Sequence, residues 1–116
     1  VIVSGDTPKK ERERILEMFK VGEIPVVANV GVLTTGFDYP ELDTVVMARP
    51  TMSLAMYYQI VGRCIRPHKD KEAAWFVDLC GNINRFGEVS DLHLKDTGNG
   101  KWAVFSRGRQ LTNVRF

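Results

Sequence analysis

The chain has 116 residues, with 16 Lys and Arg against 14 Asp and Glu, giving a formal net charge of +2 at pH 7. That length supports one domain with a real hydrophobic core and excludes two independent ones. Apolar content of 44% and charged content of 26% are those of an ordinary globular protein, and the charge balance is too mild to establish nucleic-acid binding by itself.

Val1-Ile2-Val3 is a β-branched run that meets Ser4-Gly5-Asp6, which predicts a buried strand followed by a turn. The chain opens on that strand without an initiator methionine, and we expect a fragment of a longer polypeptide. Asp6 or Thr7 can then cap a helix, with Pro8 suited to its first turn. Ile15, Leu16, Met18 and Phe19 supply its apolar stripe, and Gly22 is the expected C-terminal cap. Residues 25–30 read as a second strand whose nearly continuous apolar character fits a parallel sheet covered on both faces. Thr44 to Ala48 is a third strand, stopped by Pro50. Ser53 is expected to cap a helix running through Leu54, Met56, Ile60 and Val61 until Pro67 stops it. Ala73 to Leu79 is a fourth strand. Trp75 and Phe76 are expected to pack in or beside the sheet, and Met47, Met56 and Tyr57 to cover its faces. This order predicts an α/β, doubly wound, mainly parallel sheet flanked by helices. Beyond Gly81-Asn82 the character changes. Leu92 to Lys95 and Trp102 to Ser106 flank Asp96-Thr97-Gly98-Asn99-Gly100, which predicts a two-stranded hairpin appendage. From Lys101 onward come Lys101, Arg107, Arg109 and Arg115 with no acid, a basic tail that could hold phosphates or simply be solvated. The expected boundaries are 1–88 for the α/β domain and 89–116 for the extension.

Cys64 and Cys80 have no metal-ligand spacing, and His68 and His93 are far apart, so no zinc site is expected. There is no signal peptide and no apolar run able to span a bilayer, which points to a cytoplasmic protein with reduced thiols and no membrane partner.

Ligands of open α/β sheets sit beyond the carboxyl ends of the strands. Three polar clusters are expected there, on one rim: Ser4-Gly5-Asp6, the loop from Asn29 to Asp38, and the helix bearing Gln59, Gly62, Arg63 and Arg66. Thr34, Thr35 and Asn29 offer donors suited to backbone phosphates. Gly36 lets a ligand approach closely, and Asp38 can accept from ribose hydroxyls. Arg63 and Arg66, three apart, would share one face if the segment is helical, and two planar forks suit phosphate or a transferring phosphoryl group. Taken alone, each of these patterns is more often an ordinary turn or a solvated face.

The combination is more specific. Gly36-x-Asp38, followed some twenty residues later by Gln59-x-x-Gly62-Arg63-x-x-Arg66, resembles motifs V and VI of superfamily 2 helicases. Val3-Ser4-Gly5-Asp6, with Arg12-Ile15-Leu16 and Phe19-Lys20-Val21-Gly22, resembles the segment before motif V. Residues 33–40, Ala48-Arg49-Pro50-Thr51 and Asp78-Leu79-Cys80-Gly81-Asn82 look closest to RadD-like DNA repair helicases of bacteria and phages. The resemblance covers roughly residues 1–88. It implies a second RecA-like domain, incomplete at its N-terminus, in which Arg63 and Arg66 reach the γ-phosphate of ATP held by a first domain. Gln59 would couple that site to domain closure, Asp38 would contact the ribose, and Gly36 and Gly62 would sit against the nucleotide. Gly5, Asn29, Thr34 and Thr35 would line the nucleic-acid track, DNA being favoured over RNA.

Two residues depart from the pattern: Asn29 stands where many relatives have threonine, and Gln59 replaces the histidine of the DEAD-box branch. The chain also has no phosphate-binding Gly-x-x-x-x-Gly-Lys-Ser/Thr loop and no Asp-Glu-x-x motif. ATP and Mg²⁺ would therefore be held mainly by the first domain, and this segment alone is expected to be inactive. Two other readings stay open: a motor subunit of a type I or III restriction enzyme, and a stand-alone α/β nucleic-acid-binding module without nucleotide chemistry.

Overall fold

A computed structural model describes residues 1–31, 33, 38–98 and 100–115, with side chains through residue 111. The chain forms two compact units, Val1–Tyr39 and Pro40–Phe116.

The first unit is a β-α-β element. Strand β1 (Ile2–Val3) pairs in parallel with β2 (Ala28–Asn29), Val3 opposite Asn29, and helix α1 (Lys9–Lys20) links them. Val3 and Ile15 are buried. The helix start differs from expectation. Pro8, in extended backbone, is the N-cap, and no side chain caps the helix. The Thr7 hydroxyl instead accepts from Ser4 N at 3.0 Å, while Ser4 Oγ accepts from the Asp6 backbone N at 3.3 Å, so the Thr7 side chain is consumed in the preceding turn. The other end follows the sequence closely. Gly22 takes a left-handed φ of 85° just past the Val21 cap; its N–H reaches Phe19 O, and Glu23 N reaches Met18 O. This crossed pair satisfies the last carbonyls of the helix. Tyr39 stands edge-on to Phe19 and donates its hydroxyl to Lys20 O at 3.2 Å. Strand β2 is shorter than the predicted 25–30 run, and Val26 and Val30 are exposed rather than covered.

In the second unit, β3 (Thr44–Met47) pairs in parallel with β4 (Trp75–Asp78), and α2 (Leu54–Gly62) leaves from the carboxyl end of β3. Ser53 caps α2 as predicted, accepting from Met56 N at 3.2 Å. Met47, Tyr57, Val61 and Phe86 form the core, joined by Leu54, Ile60, Phe76, Val89 and Leu111. Tyr57 stacks on Phe86 and meets Phe76 edge-on. Its hydroxyl donates to Gly87 O at 2.7 Å, while burial, and then the negative charges of Asp78 and Glu88, push its pKa up. Trp75 and Met56, expected against the sheet, are exposed instead.

The C-terminal part is a three-stranded antiparallel meander rather than a hairpin with a tail: β5 (Leu92–Gly98), β6 (Lys101–Ser106) and β7 (Arg109–Arg115). Arg107 and Gly108 make the second turn, with φ of 51° and 78°. Two successive left-handed residues are what a two-residue hairpin loop needs to match strand twist. A short helix α3 (Asn82–Phe86) and a 3₁₀ turn (Val89–Asp91) precede the meander, and both escaped the sequence reading. Gly87 joins α3 to that turn at φ 83°. A Cβ there would lie 2.2 Å from Ser106 Oγ, so only glycine lets β6 approach.

Candidate nucleotide and nucleic-acid site

Within the first unit, Gly5 is exposed in the turn after β1, a turn closed by Thr7 N donating to Ser4 O at 3.1 Å. Asn29 ends β2, and its Oδ1 accepts from Leu33 N at 3.3 Å. Because β1 and β2 run parallel in this register, Gly5 and Asn29 emerge at one carboxyl edge, as predicted. Asp38 is exposed. Thr34, Thr35 and Gly36 lie outside the described residues.

Within the second unit, Gln59 is exposed on α2, Gly62 is its last residue, and Arg63 is the C-cap with helical φ and ψ of −68° and −32°. Gln59 and Arg63 are therefore one turn apart on the same helix side. Arg66 is exposed in a bend beyond the helix, which corrects the expectation that both arginines share a helical face. The reason is local. Proline at 67 disfavours helical backbone at residue 66, and glycine at 62 weakens the last turn. The amides of Arg63 and Cys64 tighten onto Ile60 O and Val61 O instead.

Lys71 fixes where this arginine segment lies. Its ammonium donates to Cys64 O at 2.8 Å, Pro40 O at 2.8 Å and Leu42 O at 3.0 Å. Pro40 and Leu42 immediately precede β3, so Arg63 to Arg66 sit at the amino end of that strand. The expected carboxyl rim is thus wrong for these residues. A helix that connects two parallel strands must run back antiparallel to them, which carries its C-terminus to the opposite sheet edge. Burial pushes the Cys64 thiol pKa up against the lowering effect of Lys71.

The carboxyl edge of β3 and β4 holds a cluster that sequence reasoning did not assign. Asn82, fully buried, donates to Arg49 O at 3.1 Å and to Asp78 Oδ1 at 2.9 Å. Its Oδ1 accepts from Thr51 N at 2.9 Å and from Arg85 Nη1 at 3.0 Å. All four of its hydrogen-bonding positions are used. Arg85 Nη1 also donates to Thr51 O at 3.0 Å. Asp78 Oδ1 accepts from Cys80 N and its Oδ2 from Ile83 N. The clue in sequence was Asp78 and Asn82 four apart around Gly81, whose φ is 72°.

Burial alone would raise the pKa of Asp78, but the hydrogen bonds from Ile83 N, Cys80 N and Asn82 outweigh it and hold the carboxyl below its usual range. Its stabilising contribution is then complete above the unfolded value of ~3.9 and is lost as pH falls through the lower folded value. Melting temperature should therefore drop on acidification from pH 5 toward pH 3, and Asp78→Asn should be less stable at pH 6 with a flatter acid limb. An acid limb as steep as the parent's would refute this assignment.

Among the described residues no three His, Cys, Asp or Glu side chains gather as a metal centre. No helix among them is long and apolar enough to cross a membrane.

Residues 1–68 match the helicase conserved C-terminal domain. Among curated relatives, the Saccharomyces cerevisiae protein named "Putative ATP-dependent helicase IRC3" is 38% identical over 79 residues, which is 68% of this chain and 12% of that protein. A Lactococcus phage 51.5 kDa protein is 34% identical over 104 residues, 88% of this chain and 23% of its own length. The chain thus spans less than a quarter of either relative. Among solved structures, the C-terminal domain of the DEAD-box protein Dbp5 superposes with a TM-score of 0.53 at 28% identity, covering 72% of this chain and 50% of that one. With its α/β elements, parallel strand pairs and match across 1–68, the chain belongs to the helicase conserved C-terminal domain family, the second RecA-like half of superfamily 2 helicases.

Proposed function

We propose that this chain is the second motor domain of an ATP-dependent DNA helicase or translocase. The observation that carries the reading is the segment Gln59 to Arg66, which lies inside the family match and leaves the end of α2 with Gln59 and Arg63 one turn apart. Arg63 and Arg66 act as fingers on the γ-phosphate of ATP, where a guanidinium offsets charge developing on the transferring group. Gln59 relays nucleotide state to domain closure, while Asp38, Gly36 and Gly62 contact or admit the nucleotide. Gly5 and Asn29, at one sheet edge, line the nucleic-acid backbone together with Thr34 and Thr35. The ATP phosphates and Mg²⁺ are held mainly by the first RecA-like domain, so residues 1–88 supply half of a site and do not turn over alone. Residues 89–116 form an extension to that motor half.

DNA is the favoured substrate because residues 33–40, Ala48 to Thr51 and Asp78 to Asn82 resemble RadD-like DNA repair helicases, and Gln59 in place of the DEAD-box histidine points away from that RNA-helicase branch. RNA is the rival, since "ATP-dependent RNA helicase DBP3" of Gibberella zeae is 32% identical over 74 residues. The test is steady-state ATP turnover of the full-length protein with single-stranded DNA or RNA of equal length. Stimulation at least tenfold greater by DNA is expected. Preferential stimulation by RNA would overturn the substrate assignment, and no stimulation by either would overturn the motor assignment.

A further inference from the structure

The cleft between α3 and the β6–β7 turn has a chemistry that the motor reading does not use. It encloses about 300 Å³ and is lined by Ile83, Asn84, Gly87, Ser106, Arg107 and Arg109. Ser106 is 95% buried (5% exposed) and still lines the cleft. Ser106 Oγ lies 2.2 Å from where a Cβ at Gly87 would stand, on the cleft lining, where it can donate to or accept from a ligand. Two guanidinium groups share the lining. Arg107 gives Nε to Asp91 Oδ2 at 3.0 Å and has Nη2 4.0 Å from Glu88 Oε1. Arg109 donates Nη2 to Arg85 O. Those contacts fix both side chains and leave the Nη1 group of each for a ligand. The left-handed Arg107–Gly108 turn sets the two arginines on either side of the loop, with Asn84 adding an exposed amide from α3.

We infer that this cleft is a phosphate-binding site for the backbone of single-stranded nucleic acid, separate from the track at Gly5 and Asn29. The donors fit a phosphodiester: two charged forks, one hydroxyl and one amide, with no carboxylate in the lining itself. Gly87 belongs to the design, because any side chain there would strike Ser106 Oγ and close the cleft. The inference rests on the proposed nucleic-acid-dependent function, and its role is to add one or two phosphate contacts within the second unit.

The test uses the full-length protein and a fluorescein-labelled oligothymidylate, with binding followed by anisotropy across a salt series. Replacing Arg107 and Arg109 together by Gln should weaken binding at least fivefold in moderate salt. It should also reduce the slope of log K against log salt by about 0.7 for each phosphate that is no longer neutralised. Saturated ATP turnover and KM for ATP should be unchanged. Ser106→Ala, which keeps the strand packing, should weaken binding about twofold to fivefold. An unchanged salt slope in the double variant, with Arg66→Ala still abolishing turnover, would overturn the cleft site while leaving the motor reading intact. A raised KM for ATP with an unchanged slope would assign the cleft to free nucleotide phosphate instead. Failure of the parent protein to bind the oligonucleotide would remove both readings.

Discussion

Arg66→Ala in the full-length protein should abolish nucleic-acid-stimulated ATP turnover, by about 10³-fold or more, with the fold unchanged. The argument is electrostatic. A guanidinium aimed at the transferring phosphoryl group stabilises charge that exists only in the transition state, so its loss appears in kcat rather than in ATP affinity. Arg66 is exposed in a bend beyond α2 and takes no part in the core of its unit, so circular dichroism and melting temperature should match the parent. Arg63→Lys should fail nearly as completely, because an ammonium keeps the charge but not the planar fork. Normal turnover in Arg66→Ala would sink the finger assignment.

Asn82→Ala should be the most damaging single change to stability. The side chain occupies a fully buried position with four hydrogen bonds, and truncation strands Arg49 O and Thr51 N together. Each buried group left without a partner costs about 1–3 kcal/mol, so a loss of about 3 kcal/mol is expected. For a unit of this size that lowers the melting temperature by more than about 10 °C. Asn82→Asp keeps the shape but turns an acceptor toward Asp78 Oδ1, so at neutral pH it should be no better than alanine and should recover partly in acid. A calorimetric loss under about 0.5 kcal/mol for Asn82→Ala would show that the cluster does not hold the two strand ends together.

Much of the fold was legible because its signals are local. Ser53 before an apolar run, Gly22 after a charged helix and a Gly-rich turn between two alternating segments each have one dominant physical reading. Strand β7 was missed because its charge suggested a tail. The usable clue was Arg107-Gly108, a two-residue turn candidate directly after an alternating run. Helix α3 is five residues long and shows no apolar periodicity, so pattern alone could not find it. The start of α1 went wrong because the Thr7 hydroxyl, a good cap, is used by the preceding turn instead. The site was less legible than the fold. Motif spacing located Gln59 to Arg66 as a unit, but the sheet edge it occupies depends on the running direction of a crossover helix. Asn82 carries no motif that advertises four simultaneous hydrogen bonds, each to a residue distant in the chain or across a turn.

The parallel pairing of β3 with β4 also bears on how the second unit assembles. Thr44 pairs with Trp75, 31 residues onward, whereas the two turns of the meander close after only two residues each. Closing a long loop costs more chain entropy before any pairing rewards it, and such non-local closures set the pace of folding. The meander can therefore zip early from its own turns, while the strand pair must wait for α2 to fold back. Lys71, just before β4, bridges two carbonyls that precede β3 and one that follows α2, so its hydrogen bonds complete only when the crossover has brought these segments together. In kinetic terms it is a latch on the last step.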